Sequence, residues 1–226
     1  MMHPLDRPVW SALTTRQAAL ALGDGRAVRL APEYGLFAAA ADASAEALAD
    51  LAALVPADGG IALVEAGVPP PVRGTVAAAP VALSQMVAEA LTPAPAPAFG
   101  ITPLTEADAP AMLALATLTR PGPFFSRTHQ LGDFVGVKVD GALVAMAGER
   151  MKPTGFTEVS GVCTHPEHRG RGYADGLSRL VAARILARGE TAFLHAYPSN
   201  TAAITLYQTL GFTLRREMAI TVLTRA

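Results

Sequence analysis

The sequence predicts an α/β (α+β) chain in which a mixed sheet is covered by helices and preceded by a smaller α/β unit, and three observations carry that expectation. After residue 100, strand-like apolar segments alternate with helices of clear 3.6-residue period. Asp140-Gly141 between two of those segments is a hairpin signal, so the strands it joins run antiparallel. The prolines of Leu91-Thr92-Pro93-Ala94-Pro95-Ala96-Pro97-Ala98 forbid a helix and favour an extended connector. They place a boundary at 93–98, with an accessory unit over 1–92 and the main domain over 99–226.

Before the connector, a helical signal covers Thr14–Leu22 and a short strand signal Ala27–Leu30. The run from Leu36 to Val55 is interrupted by Asp42, Glu46 and Asp50, a fourfold spacing that suits an amphipathic helix and not a membrane span. Ile61-Ala62-Leu63-Val64 reads as a buried strand, ended by Val68-Pro69-Pro70-Pro71. After the connector come a helix at Thr105–Leu118, a Pro/Gly-rich loop at Arg120–Pro123, and strands at Phe134–Val139, Leu143–Met151 and Phe156–Thr164. A helix from about Gly172 to Arg188 sets Leu177, Leu180, Val181 and Ile185 on one stripe, and Gly189 stops it. A strand at Thr191–Tyr197 follows. Ser199 or Asn200 then caps a helix carrying Ala203, Leu206, Tyr207 and Leu210 on one face, Gly211 ends it, and Met218–Leu223 forms the last strand.

Composition narrows the partners. At 226 residues and 51% apolar, the chain can bury one substantial core or two modest ones. With 18 cations against 19 anions it has no basic footprint, so neither nucleic acid nor an anionic membrane is an expected partner. The single cysteine, Cys163, excludes an intramolecular disulfide and a cysteine metal cluster, and fits a cytoplasmic setting. Met1-Met2-His3-Pro4-Leu5-Asp6-Arg7 is broken by proline and charge, unlike a secretory signal. The composition is compatible with an oligomer without implying one.

The chemistry concentrates at Arg169-Gly170-Arg171-Gly172-Tyr173-Ala174, between a strand ending at Thr164 and a helix. Free backbone N–H groups and the positive end of a helix converge on such a turn, and glycine lets a phosphate approach the backbone. The absence of Gly-Lys-Ser/Thr argues against a P-loop, and Asp175 stands where a dinucleotide fingerprint would carry its third glycine. What remains resembles the GNAT acyltransferase superfamily. Its Arg/Gln-x-x-Gly-x-Gly/Ala signature is matched by Arg169, Gly172 and Ala174, and Val162-Cys163-Thr164-His165-Pro166-Glu167 looks like the strand and turn that precede it. Pro198-Ser199-Asn200 through Tyr207-Gln208-Thr209-Leu210-Gly211-Phe212 is similar to the family's final asparagine–helix–tyrosine–Gly-Phe segment.

That resemblance implies a GNAT-type mixed, mostly antiparallel sheet and an acyl-CoA-dependent N-acyltransferase using acetyl-CoA and an amine acceptor, without a metal. It implies that the amides of Gly170–Asp175 hold the coenzyme pyrophosphate, with Arg169, Arg171, Tyr173 and Ala174 around them. Main-chain groups of Val162, Cys163 and Thr164 would pair with the pantetheine arm, and Asn200 would hydrogen-bond the cofactor. An unpaired N–H at Cys163 or Thr164 would polarise the thioester, and Tyr207 would protonate the departing thiolate. Glu158 matches the place where histone acetyltransferases of the superfamily carry a glutamate and is the expected general base. A hairpin pairing Met151 with Phe156 would set Glu149 opposite Glu158 and raise a pKa of the pair. The plain alternative is that Glu158 bonds Arg150 or Lys152. His195 is either a proton relay or a satisfied buried histidine, and Cys163 reads as a small hydrophobe more than a nucleophile.

His165 and His168 flank an exposed turn without a third metal ligand. Arg120-Pro121-Gly122-Pro123-Phe124-Phe125-Ser126-Arg127 lies where the family shapes its acceptor site. Two-domain acyltransferases resembling the glycine N-acyltransferases suggest that 1–92 is a degenerate GNAT-like half closing the acceptor side. A coenzyme A-binding or sensing module without turnover is the alternative function.

Overall fold

The computed structural model describes residues 3–226, so Met1 and Met2, which head the segment read above against a secretory signal, lie outside the described residues. Pro8 occupies the first turn of α1 (Pro8–Leu13), where its missing N–H costs nothing. Thr14 ends the helix, its hydroxyl donating to Trp10 O at 2.7 Å. The expected helix over Thr14–Leu22 is therefore replaced by a single turn at Ala18–Leu20 and by β1 (Ala21–Asp24). β1 pairs antiparallel with β2 (Ala27–Leu30), as β2 does with β3 (Ala38–Ala40).

The helix expected from Leu36 to Val55 also contracts. Ala38–Ala40 is a buried strand, because pairing with β2 overrides alanine's intrinsic preference for helix. α2 (Ala45–Ala53) begins only at Ser44, whose hydroxyl accepts from Ala47 N at 3.3 Å. The chain then forms β4 (Gly60–Glu65), β5 (Thr75–Ala77) and β6 (Val81–Ala88).

Beyond the connector lie β7 (Thr102–Leu104), α3 (Ala109–Thr119), β8 (Phe134–Val139), β9 (Ala142–Glu149) and β10 (Phe156–Thr164). Asp140 and Gly141 both take positive φ, 50° and 81°, as a two-residue turn of the I′ kind between β8 and β9 requires. α4 (Tyr173–Ala187), β11 (Thr191–Ala196), α5 (Thr201–Leu210) and β12 (Thr213–Arg225) complete the chain. β12 is longer than the Met218–Leu223 expected, because it pairs along its length with β6, β4 and β5.

The main sheet runs β4-β12-β6-β11-β10-β9-β8-β7, with β5 also on β12. Every neighbouring pair is antiparallel except β10 with β11. β6 precedes the proline connector yet lies between β11 and β12, so the sheet is continuous across 93–98. One core face joins Leu5, Val9, Leu30 and Phe37 to Met151, Phe193 and Met218, and α4 packs Leu177, Val181 and Ile185 on the other. The segment at 93–98 is extended, and strands from both sides of it share hydrogen bonds and a core.

Candidate active site

At one end of a groove of about 570 Å³, the chain turns into α4 through Gly170 and Gly172, each with φ +76°. A Cβ at either position would meet no other atom within 4 Å, so the space above the turn is open, while the left-handed backbone favours glycine. No side chain caps α4, and the amides from Gly170 to Asp175 make no hydrogen bond to another part of the described chain. Unspent donors, the helix dipole and the exposed Arg169 and Arg171 make this turn suited to a pyrophosphate. Tyr173 packs edge-on against Phe99 at 4.8 Å, and Ala174 lines the groove. Asp175 lies 3.6 Å from Arg179 in an i,i+4 pair.

The groove continues where two parallel strands part. β10 and β11 pair only from Phe156↔Thr191 to Glu158↔Phe193, and beyond that point they separate. On its other edge β10 carries a bulge between Ser160 and Cys163, with Gly161 at φ +64°. His165 N donates to Val144 O at 2.7 Å, and Cys163 lies opposite Met146. Antiparallel alternation therefore gives the Cys163 N–H to β9 and turns that of Thr164, with Val162 on the same side, toward the groove. Of the two amides expected to meet the thioester, Thr164 is the available one. The Cys163 thiol is buried, and burial pushes it up to about 11, as suits a packed hydrophobe and not a nucleophile.

Asn200 caps α5 by accepting from Ala203 N at 3.2 Å, which leaves its amide nitrogen for the groove. Tyr207 lies on the buried face of α5, its ring edge-on to Phe212 at 6.0 Å, and its phenol also borders the groove without a partner among the described residues. Burial raises that phenol to about 12.

At the far end of the groove a buried polar chain begins at Glu158. Its carboxylate accepts from Arg150 Nε and Nη2, both at 2.8 Å, from His195 Nδ1 at 2.8 Å and from Met151 N at 3.3 Å. Burial alone would raise its pKa, but the Arg150 charge and hydrogen bonds, aided by His195, hold it well below the carboxylate range. The expected pairing with Glu149 is corrected by one residue of register: Glu149 lies opposite Val159 and points to the other sheet face, toward Lys152 at 2.8 Å and Arg188 at 2.7 Å. Glu158 is thus a buried carboxylate engaged by Arg150, His195 and Met151 and not by the Glu149 pairing expected of it.

His195 is satisfied on both ring nitrogens. Gln85 Nε2 lies 3.1 Å from His195 Nε2 and 2.8 Å from Leu5 O, while Gln85 Oε1 accepts from Arg215 Nη1 at 2.8 Å. With its oxygen on a guanidinium and its nitrogen on a carbonyl, the amide can only donate to His195. The Nδ1–H tautomer fits both partners, donating to Glu158 and accepting from Gln85. Arg215 continues the chain to Asp6 at 2.8 Å.

Residues 134–220 match a family model described as FR47-like protein. A solved structure from Novosphingobium aromaticivorans, assigned as an acetyltransferase of the GNAT family, is 48% identical over 100% of both chains, with a TM-score of 0.89. This chain belongs to the GNAT superfamily. A GCN5-related N-acetyltransferase from Kribbella flavida, 21% identical over 96% of this chain and 95% of its own, shares the fold with a TM-score of 0.65. So does an acetyltransferase of the GNAT family from Colwellia psychrerythraea, 13% identical over 88% of this chain and 76% of its own, with a TM-score of 0.53. No curated protein matches the sequence.

The GNAT fold here brings together all the residues expected at the coenzyme end, together with Tyr207, Glu158 and His195. The 120–127 segment is only partly in the groove. Arg120 and Gly122 line it, whereas Phe124 packs on Phe134 at 5.8 Å and Arg127 stacks 4.9 Å over Tyr34. Phe37, Val64 and Leu83, from before the connector, form part of the groove wall, and the sequence reading named none of them as site residues. Gln85 was missed as well. Leu83 and Gln85 lie in a short apolar stretch that shows neither a clean two-residue nor a clean 3.6-residue period, whereas Val64 lies in the legible strand Ile61–Val64.

Proposed function

We propose that this GNAT protein moves an acetyl group from acetyl-CoA directly to an amine of a small molecule or peptide. The observation that carries the reading is a single groove running from the open glycine turn, past the parted strands, to the Arg150–Glu158–His195 chain. The amides of Gly170–Asp175 hold the pyrophosphate, Val162 and Thr164 pair with the pantetheine arm, and Asn200 donates to the coenzyme. Thr164 N–H polarises the thioester carbonyl.

The amine nitrogen attacks that carbonyl carbon, the C–S bond breaks, and the sulfur leaves as thiolate beside the Tyr207 phenol. At about 12, Tyr207 lies some three units above an ordinary thiol, so it keeps its proton and stabilises the thiolate as a hydrogen-bond donor. Water then protonates the sulfur and takes the second proton from the acylated nitrogen, which leaves a neutral amide and a free thiol. The charged residues lining the groove are Arg120, Arg150 and Arg169, and no carboxylate among the described residues lines it. Glu158 is engaged and Gln85 holds the His195 lone pair, so the acceptor sheds its ammonium proton to water. Glu158 and His195 act as positioning residues that fix Arg150 and the groove wall.

Acetyl-CoA should raise the melting temperature of the protein where ATP and NAD do not. Gly172→Asp sets a carboxylate against the pyrophosphate and strains a left-handed position, and is expected to weaken acetyl-CoA binding by more than about 100-fold. A folded Gly172→Asp protein with unchanged affinity would overturn the reading. Coenzyme binding without thiol release across a broad amine panel would point to a sensing module instead.

A further inference from the structure

We infer that the acceptor is an amine bearing a carboxylate and an apolar side chain, with Arg150 as the residue that receives the carboxylate; the inference rests on the acyl-transfer reading and names its second substrate. Arg150 spends Nε and Nη2 on Glu158, which fixes the guanidinium plane. Phe37 covers one face of that plane at 4.9 Å. Nη1 has no partner among the described residues and faces the 120–123 loop: a Cβ placed on Gly122 would lie 3.9 Å from it. Arg150 and Gly122 both line the groove, so a clamped guanidinium presents an unused donor edge to it.

The surroundings agree in sign and polarity. Arg169 stands at the coenzyme end and Arg120 and Arg150 at the acceptor end, with no lining carboxylate to oppose them, so the groove carries positive charge at both ends. The coenzyme phosphates account for one end. An anionic group on the acceptor accounts for the other, and a planar guanidinium recognises carboxylate well. Beside Arg150 the wall includes Phe37, which stacks on it, together with Val64, Leu83 and Ile220, which suits an apolar side chain and not a second charged group.

The test begins with the wild-type protein saturated with coenzyme A, because removing Arg150 would leave Glu158 buried without its cation. By titration calorimetry, 4-methylpentanoate should bind about 10- to 100-fold more tightly than 4-methylpentanamide, the range expected of a hydrogen bond between charged groups. Equal affinities would overturn the inference. In turnover, followed as free thiol, leucine should exceed 3-methylbutylamine in kcat/KM by a similar factor; an amine that matches or beats leucine also overturns it. If the carboxylate preference holds but neither compound releases thiol, the acyl-transfer reading fails while the carboxylate site stands. Arg150→Lys protein that binds coenzyme A normally should lose the preference, and retention of it would remove Arg150 from the role.

Discussion

The two ends of the groove are built in opposite ways. The coenzyme end is local: eleven consecutive positions from Thr164 to Ala174 supply the end of β10, the turn and the start of α4, and two glycines at φ +76° set its shape. The acceptor end is assembled from distant parts of the chain. Arg150 and Glu158 come from a hairpin, His195 from β11, Gln85 and Leu83 from β6, and Phe37 from a segment well over 100 residues before His195 in the sequence. A local device can be changed without disturbing the rest, whereas a long-range polar chain couples fold and site. Altering Gly172 should cost only the strain of one left-handed position, about 1 kcal/mol, and altering the Glu158 chain considerably more.

The largest expected effect breaks the comparison at the level of folding. A fragment covering 93–226 lacks β6, which separates β11 from β12 and buries Leu83, Met86 and Ala88. Without those side chains their partners Phe193, Leu194, Leu210, Phe212 and Met218 lose cover, at about 1.5–3 kcal/mol for each large side chain fully exposed, and two strand edges are left open. The fragment should show no cooperative thermal transition by circular dichroism, although it retains the whole glycine turn. A soluble fragment that melts cooperatively would support the two-unit organisation.

Glu158→Gln should have a smaller but still marked effect, because it leaves the Arg150 charge buried with a neutral partner. About 3 kcal/mol of stability should be lost at pH 7 in urea titrations, with coenzyme affinity nearly intact. Since Glu158 is held below its ordinary range in the folded protein, its contribution is full above the unfolded carboxylate value near 4.5 and is lost as pH falls through the folded value. The wild-type advantage over Glu158→Gln should therefore persist at pH 6 and shrink progressively below about pH 4.5. The acidic limb of the pH–rate profile should survive the substitution and move with the pKa of the acceptor amine. Loss of that limb in the variant would return the role of base to Glu158.

Tyr207→Phe should show the smallest effect. The ring keeps its contact with Phe212, and only a hydrogen bond to the leaving sulfur is lost, about 10-fold in kcat with KM for acetyl-CoA unchanged. An unaltered kcat would reduce Tyr207 to packing.

The sequence by itself determined the elements whose signals are short in range. β2, β8, β10, α4, the Asp140-Gly141 turn, the Asn200 cap and the glycine turn were all legible, because backbone φ, capping oxygens and a 3.6-residue apolar stripe act within a few residues. Tertiary structure decided the rest. Ala38–Ala40 became a strand because β2 was there to pair with it, and β6 was concealed because its central Gln85 is polar yet fully buried, satisfied by Leu5, His195 and Arg215 from three other segments. The fate of Glu158 turned on the register of β9 against β10. One residue of slip exchanges Glu149 for Arg150 as its neighbour, and so replaces like-charge repulsion with a buried ion pair, because successive side chains of a strand point to opposite faces.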